Sequence, residues 1–190
     1  MAEQQQISQE SVNHLIEDIA YLQDEADALQ YVIEEVPYDQ SPSDEPSIAE
    51  MLKLIDHAQI SYYRPIFEDA IDTKRPTYIS DFTHFEENFM FDEEGIDIHK
   101  ILKKLSKHRA GVINSLKDIS LMQWESIIYK DNTDITIFSF IQEMVRFERD
   151  MLKKIVNRVR VFSQERQTQR ELEQRRKQQQ YFNVDENTNY

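Results

Sequence analysis

Only two of the 190 residues are glycine, Gly95 and Gly111, and they stand well apart. A loop that cradles phosphate needs clustered glycines, because bare backbone lets several N–H groups approach one anion. No such loop can be written from this chain, which argues against the nucleotide-binding α/β folds. A helical chain needs few glycines, since each costs about 1 kcal/mol in a helix interior relative to alanine. Cysteine is absent, which removes disulfides, thiolate metal sites and a cysteine nucleophile and fits a cytoplasmic protein. No run of about 18 apolar residues exists, so no membrane span is expected. The first six residues lack a basic region followed by an apolar stretch, so no secretory signal is expected.

Four segments carry the apolar period of a helix. The first covers residues 7–36, with Val12, Leu15, Ile16, Ile19, Leu22, Leu29, Val32 and Ile33 on one stripe, and Pro37 ends it. After a polar linker at residues 39–46, Ser47 and Glu50 have the Ser-x-x-Glu spacing of a capping box. The second helix follows, with Pro65 inside it as the expected bend or break. Residues 72–96 show no period and read as a long loop anchored on the bundle by Phe82, Phe85, Phe89 and Phe91. A third helix starts near Asp97. A connection through Trp124, Ile127, Ile128 and Tyr129 leads to a fourth, which starts near Thr136 and runs at least to Phe162. Residues 163–180 have Leu172 as their only strongly apolar side chain. They are expected as a solvated helix or a disordered extension. The predicted organisation is a helical bundle over residues 1–162 and a polar, charged extension over 163–190.

Charge is divided unevenly. Residues 1–100 carry 5 Lys/Arg against 24 Asp/Glu, and residues 101–190 carry 17 against 12, for a total of −14. The expected arrangement sets acidic and basic helices side by side. The basic stripe of the fourth helix, with 11 Lys/Arg and 5 Asp/Glu over residues 146–177, is also what phosphate contacts would need. The acidic remainder and the lack of a groove-reading motif argue against nucleic acid.

Helix order and local sequence together resemble the DinB/YfiT-like four-helix-bundle family. The segment from Pro46 to His57 (Pro-Ser-Ile-Ala-Glu-Met-Leu-Lys-Leu-Ile-Asp-His) looks like that family's entry into its second helix. Trp124, with Thr136-Ile137 after a short turn, looks like the approach to its fourth. The resemblance covers about residues 8–160 and implies an all-α, up-down four-helix bundle. It also implies where a metal would sit. Members with a metal site take one histidine from the second helix and an i, i+4 pair from the fourth, leaving positions open for water or substrate, and some are thiol-dependent transferases or hydrolases. The matching positions here are Leu54, Phe147 and Met151. None of these side chains is a normal ligand for zinc or nickel.

His57 lies one turn beyond Leu54 on nearly the same face. One histidine does not make a metal site, and Glu148 projects about 100° from Phe147 around its helix. A histidine hydrogen-bonded at the edge of the core is therefore expected. No Glu-x-x-His spacing of the di-iron bundles occurs, no strand–turn–helix elbow surrounds a serine, and His14, His84, His99 and His108 form no i, i+4 pair. The expectation is a bundle without metal or cofactor, in a non-catalytic binding or stress-associated role, with Leu54, His57, Phe147 and Met151 as possible cleft residues for a small apolar or amphipathic ligand. Enzymatic activity is left open, with the weight against it. Two alternatives stand beside this: a metal-dependent transferase or hydrolase with relocated ligands near His57, and an interaction protein using the basic C-terminal helix. A homodimer is left open.

Overall fold

The computed structural model describes residues 7–41, 45–72, 76–91, 96–131 and 133–186, the last with side chains to 177. Four long helical units build the core. Helix α1 (Gln9–Leu29) is capped by Ser8, whose hydroxyl accepts from the Ser11 N–H at 3.1 Å. It buries Val12, Leu15, Ile19, Leu22, Ala26 and Leu29, an alternating step of three and four. The chain leaves the α-helix at Leu29, short of the expected Val36, and tightens into a 3₁₀ turn at Ile33–Glu35. Pro37 forces Val36 into extended backbone (φ −116°, ψ 138°). The turn places Ile33 in the core and leaves Val32 outside.

Helix α2 (Ile48–Ala58) begins at the expected capping box, with Glu50 N–H on the Ser47 hydroxyl and Ser47 N–H on the Glu50 carboxylate. Pro65 does not split the second helix. The backbone widens into a π turn at Gln59–Tyr63 and runs on as α3 (Arg64–Asp72). Proline has no N–H for the carbonyl four residues back and its ring crowds that carbonyl, so a wider turn relieves both. The wide turn also keeps an i, i+4 ridge inward. On a straight α-helix each four-residue step drifts by about 40°, yet Ile55, Gln59, Tyr63 and Phe67 are all buried.

The stretch expected as a loop holds a strand, β1 (Thr77–Ile79), and a short helix, α4 (Phe82–Glu87). After α5 (Ile98–Lys117, capped by Asp97) and α6 (Leu121–Trp124) comes a hairpin of β2 (Ile127–Lys130) and β3 (Thr133–Thr136). Asp131 opens its two-residue loop at φ 50°, a conformation that Asp tolerates better than most side chains. β1 pairs in parallel with β2, and β2 pairs antiparallel with β3. This three-stranded sheet corrects the loop and connection expected from the sequence. Its strands are only three and four residues long, too short for alternation to stand out.

Helix α7 (Ile137–Glu186) is 50 residues long, or about 75 Å at 1.5 Å per residue. Helices α1 and α2 each pack against both α5 and α7, which sets α1 and α2 at opposite corners of an all-α four-helix bundle. One apolar cluster fills the centre. Along α7, burial stops at Val159, Phe162 is half-buried, and every side chain from 163 to 177 is exposed. Arginines of α7 meet acids from the first half of the chain: Arg149 with Asp18 (3.0 Å), Arg158 with Glu45 (2.6 Å) and Arg166 with Glu35 (3.2 Å). The acidic and basic segments do lie side by side. Among the described residues no helix is long and apolar enough to cross a membrane.

Candidate functional site

Leu54 on α2 and Met151 on α7 lie on one pocket. They are 7% and 6% exposed and line this pocket, of about 560 Å³, with Met51 and Phe89, edged by Glu86 and Lys154. Phe147 and His57 reach this place through other side chains. Phe147 is half-buried; its ring lies 4.6 Å from Phe82 and 6.4 Å from Tyr63. The His57 ring stacks on Phe85 (5.1 Å, 19°) and meets Phe89 at 5.5 Å. Its Nδ1 is 3.2 Å from the Ser61 hydroxyl. Phe82 and Phe85 touch each other at 5.5 Å. The segment expected to anchor by its aromatics thus lays them along α2 and α7.

The segment is held at its start by charge. Asp81 caps α4 by accepting from the Phe82 N–H at 2.7 Å. Lys130 bridges Asp81 (3.0 Å) and Glu143 (2.7 Å), tying α4, β2 and α7. The Lys130 hydrogen bond is the main reason the Asp81 carboxyl is held below its ordinary value, with the Phe82 N–H adding to it. Burial pulls the Lys130 ammonium down, but its bonds to Glu143 and Asp81 outweigh that and the net shift is upward. Tyr62 donates to the Ser80 carbonyl at 2.9 Å. Burial pushes its phenol up to about 12, against the opposing pull of Lys130. Burial likewise raises Tyr63. Neither phenol is an acid near neutral pH.

Behind this aromatic layer lies a buried polar trio that the sequence reading passed over. Arg109 of α5 donates through Nη2 to Glu148 Oε2 (2.8 Å) and through Nη1 to the Leu22 carbonyl (2.7 Å). Gln59, in the π turn, donates to Glu148 Oε1 at 2.6 Å. All three side chains are at most 1% exposed. The 100° offset of Glu148 from Phe147 does not put it in solvent; it turns Glu148 into the core. The sequence carried a signal. Arg109 falls on the stripe Leu105, Val112, Leu116, and Glu148 on the stripe Ile141, Met144, Met151, Ile155, so opposite charges occupy apolar phases on two helices.

The donor set does not fit a divalent metal. Leu54, Phe147 and Met151 offer no nitrogen or oxygen. His57 is alone among aromatic rings, and the Glu148 carboxylate is occupied by Arg109 and Gln59. Among the described residues no group of three or more His, Asp or Glu is placed to hold an ion. Of the other histidines, His108 pairs with Asp56 at 2.6 Å and His99 with Glu34 at 3.1 Å.

No family model matches the sequence, and no curated protein matches it. The fold does have a solved counterpart. YfiT from Bacillus subtilis, described as a probable metal-dependent hydrolase with an unusual four-helix bundle topology, superposes with a TM-score of 0.69 at 14% identity. The match covers 86% of this chain and 94% of that one. An identity this low speaks for architecture and not for chemistry. This chain has the DinB/YfiT-like four-helix-bundle fold.

Proposed function

We propose that this protein is a non-catalytic binding bundle whose α2/α7 cleft takes a small apolar ligand in place of a metal. The observation that carries this reading is the pocket wall itself. Met51, Leu54, Phe89 and Met151, with Pro46, give the pocket its apolar surface, and Ser41, Glu45, Glu50, Glu86 and Lys154 also line it. Of the acids, Glu45 is paired with Arg158 and Glu50 is held by the Ser47 N–H at the start of α2. Methionine adapts its shape to irregular ligands, and a pocket of this size is within the usual range for small molecules. YfiT is described as a probable metal-dependent hydrolase, and Leu54, Phe147 and Met151 carry no group that normally ligates such a metal.

The test is a fluorescence titration with N-phenyl-1-naphthylamine, an uncharged apolar probe, with metal content measured on the same preparation. Saturable one-to-one binding, unchanged by chelator and lost in Met151→Glu with the helical circular-dichroism signal retained, is the expected result. One equivalent of zinc, nickel or iron that disappears in His57→Ala would establish the relocated-site enzyme instead. Absence of saturable probe binding in the parent protein would end the binding reading.

A further inference from the structure

A second pocket lies on the other side of Phe89, between α2 and α5. Its volume is about 540 Å³. One wall is Lys53, Asp56 and His57 of α2, continued by Ile60 in the π turn; the facing wall is Lys100, Ile101 and Lys104 of α5. Phe89 and Ile96 complete an apolar floor with Ile60 and Ile101.

The charges of this pocket are not balanced within it. Both of its acids are engaged. Asp56 is bound by His108 at 2.6 Å, and Asp97 accepts the Lys100 N–H at 3.0 Å as the cap of α5. Lys53 holds its ammonium 4.7 Å from the centre of the Phe91 ring. Lys100 and Lys104 stand one turn apart on α5, a like-charge spacing that disfavours the helix on its own. Neither makes an ion pair among the described residues, in a protein of net charge −14. Two ammonium groups beside an apolar floor are suited to a ligand that is itself divided, with an anionic head and an apolar body.

We propose that the α2/α5 pocket binds a small anionic amphiphile, its carboxylate or phosphate head on Lys100 and Lys104 and its apolar body against Ile60, Phe89, Ile96 and Ile101. This goes beyond the apolar α2/α7 cleft: it is a different pocket, with a different head group requirement.

The experiment is isothermal titration calorimetry of the full chain with octanoate, and in parallel with octan-1-ol, acetate and inorganic phosphate. Octanoate is expected to bind at one site, with octan-1-ol, acetate and phosphate each weaker by about tenfold or more, since both head and body are required. Lys100→Gln/Lys104→Gln alters only exposed side chains. It should weaken octanoate by about tenfold while leaving the melting temperature and N-phenyl-1-naphthylamine binding as in the parent. Met151→Glu, which closes the other pocket, should leave octanoate binding intact. Equal affinity for octanoate and octan-1-ol, no effect of the double lysine variant, or no octanoate binding at all would overturn the proposal. Loss of octanoate binding in Met151→Glu would also overturn it, and would place that ligand in the α2/α7 cleft with the proposed function still standing.

Discussion

Residues 137–162 and residues 163–186 form one unbroken helix in two different situations. In the first part Phe140, Ile141, Met144, Glu148, Leu152 and Ile155 are each under 2% exposed, while every described side chain beyond Phe162 is in solvent. The second part persists as a helix on local terms: arginine, glutamine and glutamate are good helix formers, and pairs such as Gln167 with Glu171 (3.2 Å) add side-chain bonds along its surface. The first part persists because it is packed. Helical backbone is thus no measure of how much a segment contributes to folding, and side-chain burial is the better guide.

The sharpest way to separate the two parts is to remove one glutamate from each. Glu148→Ala leaves Arg109 charged, buried and without its partner, and should cost about 3–5 kcal/mol in urea unfolding. Glu173→Ala in the extension should stay within about 0.5 kcal/mol of the parent. Equal effects would mean that the two parts are energetically alike and that the contrast drawn from burial is wrong.

Truncation after Phe162 tests the same contrast at a smaller scale. It removes only the exposed Arg166–Glu35 link among the described side-chain contacts to the bundle. The melting temperature should fall by no more than a few degrees, corresponding to about 1 kcal/mol or less. A cooperative loss of structure would show that the extension docks on the bundle or on a second copy of the chain.

The smallest effect is expected at the Lys130 clasp, which reaches into the packed part of α7 through Glu143. Asp81 is about half exposed, so its bond should be worth less than about 1 kcal/mol. The lowered Asp81 value means its contribution is present above the unfolded value near 3.8 and is lost as pH falls through the lower folded one. The raised Lys130 value means its contribution is complete below 10.5 and is lost as pH rises through the higher folded one. The stability difference between parent and Lys130→Met should therefore be flat from roughly pH 5 to 9 and shrink outside that window. A flat difference at all pH values would mean that the clasp acts through packing and not through charge.

The bundle was legible because each long helix repeats its apolar step many times, so α1, α2, α5 and the packed part of α7 could each be placed from side-chain pattern alone. The sheet was not, because three-residue Thr77–Ile79 has too few positions for an alternation to register. The cleft was half legible. Leu54 and Met151 share a pocket because both fall on the inner stripes of their helices. The aromatic rings that separate them from His57 come from a segment without periodicity, where only composition gave a hint. The buried trio was missed for a different reason. Glu148 lies about 100° around the helix from Phe147, yet it falls on the buried stripe through Met144 and Met151.

The wide turn at Gln59–Tyr63 bears on how this chain lines up with others. A π turn holds one residue more than the α-helix around it would. A bundle whose second helix is straight matches this one on both sides of the turn only if a one-residue gap is opened there. Leu54 and His57 lie before the gap and Phe67 lies after it. Without the gap, a comparison that is in step at Leu54 is one residue out of step by Phe67, about 100° around the helix. Conservation scored across that point would then set core positions against surface ones, and the two chains would look less alike than their shapes are.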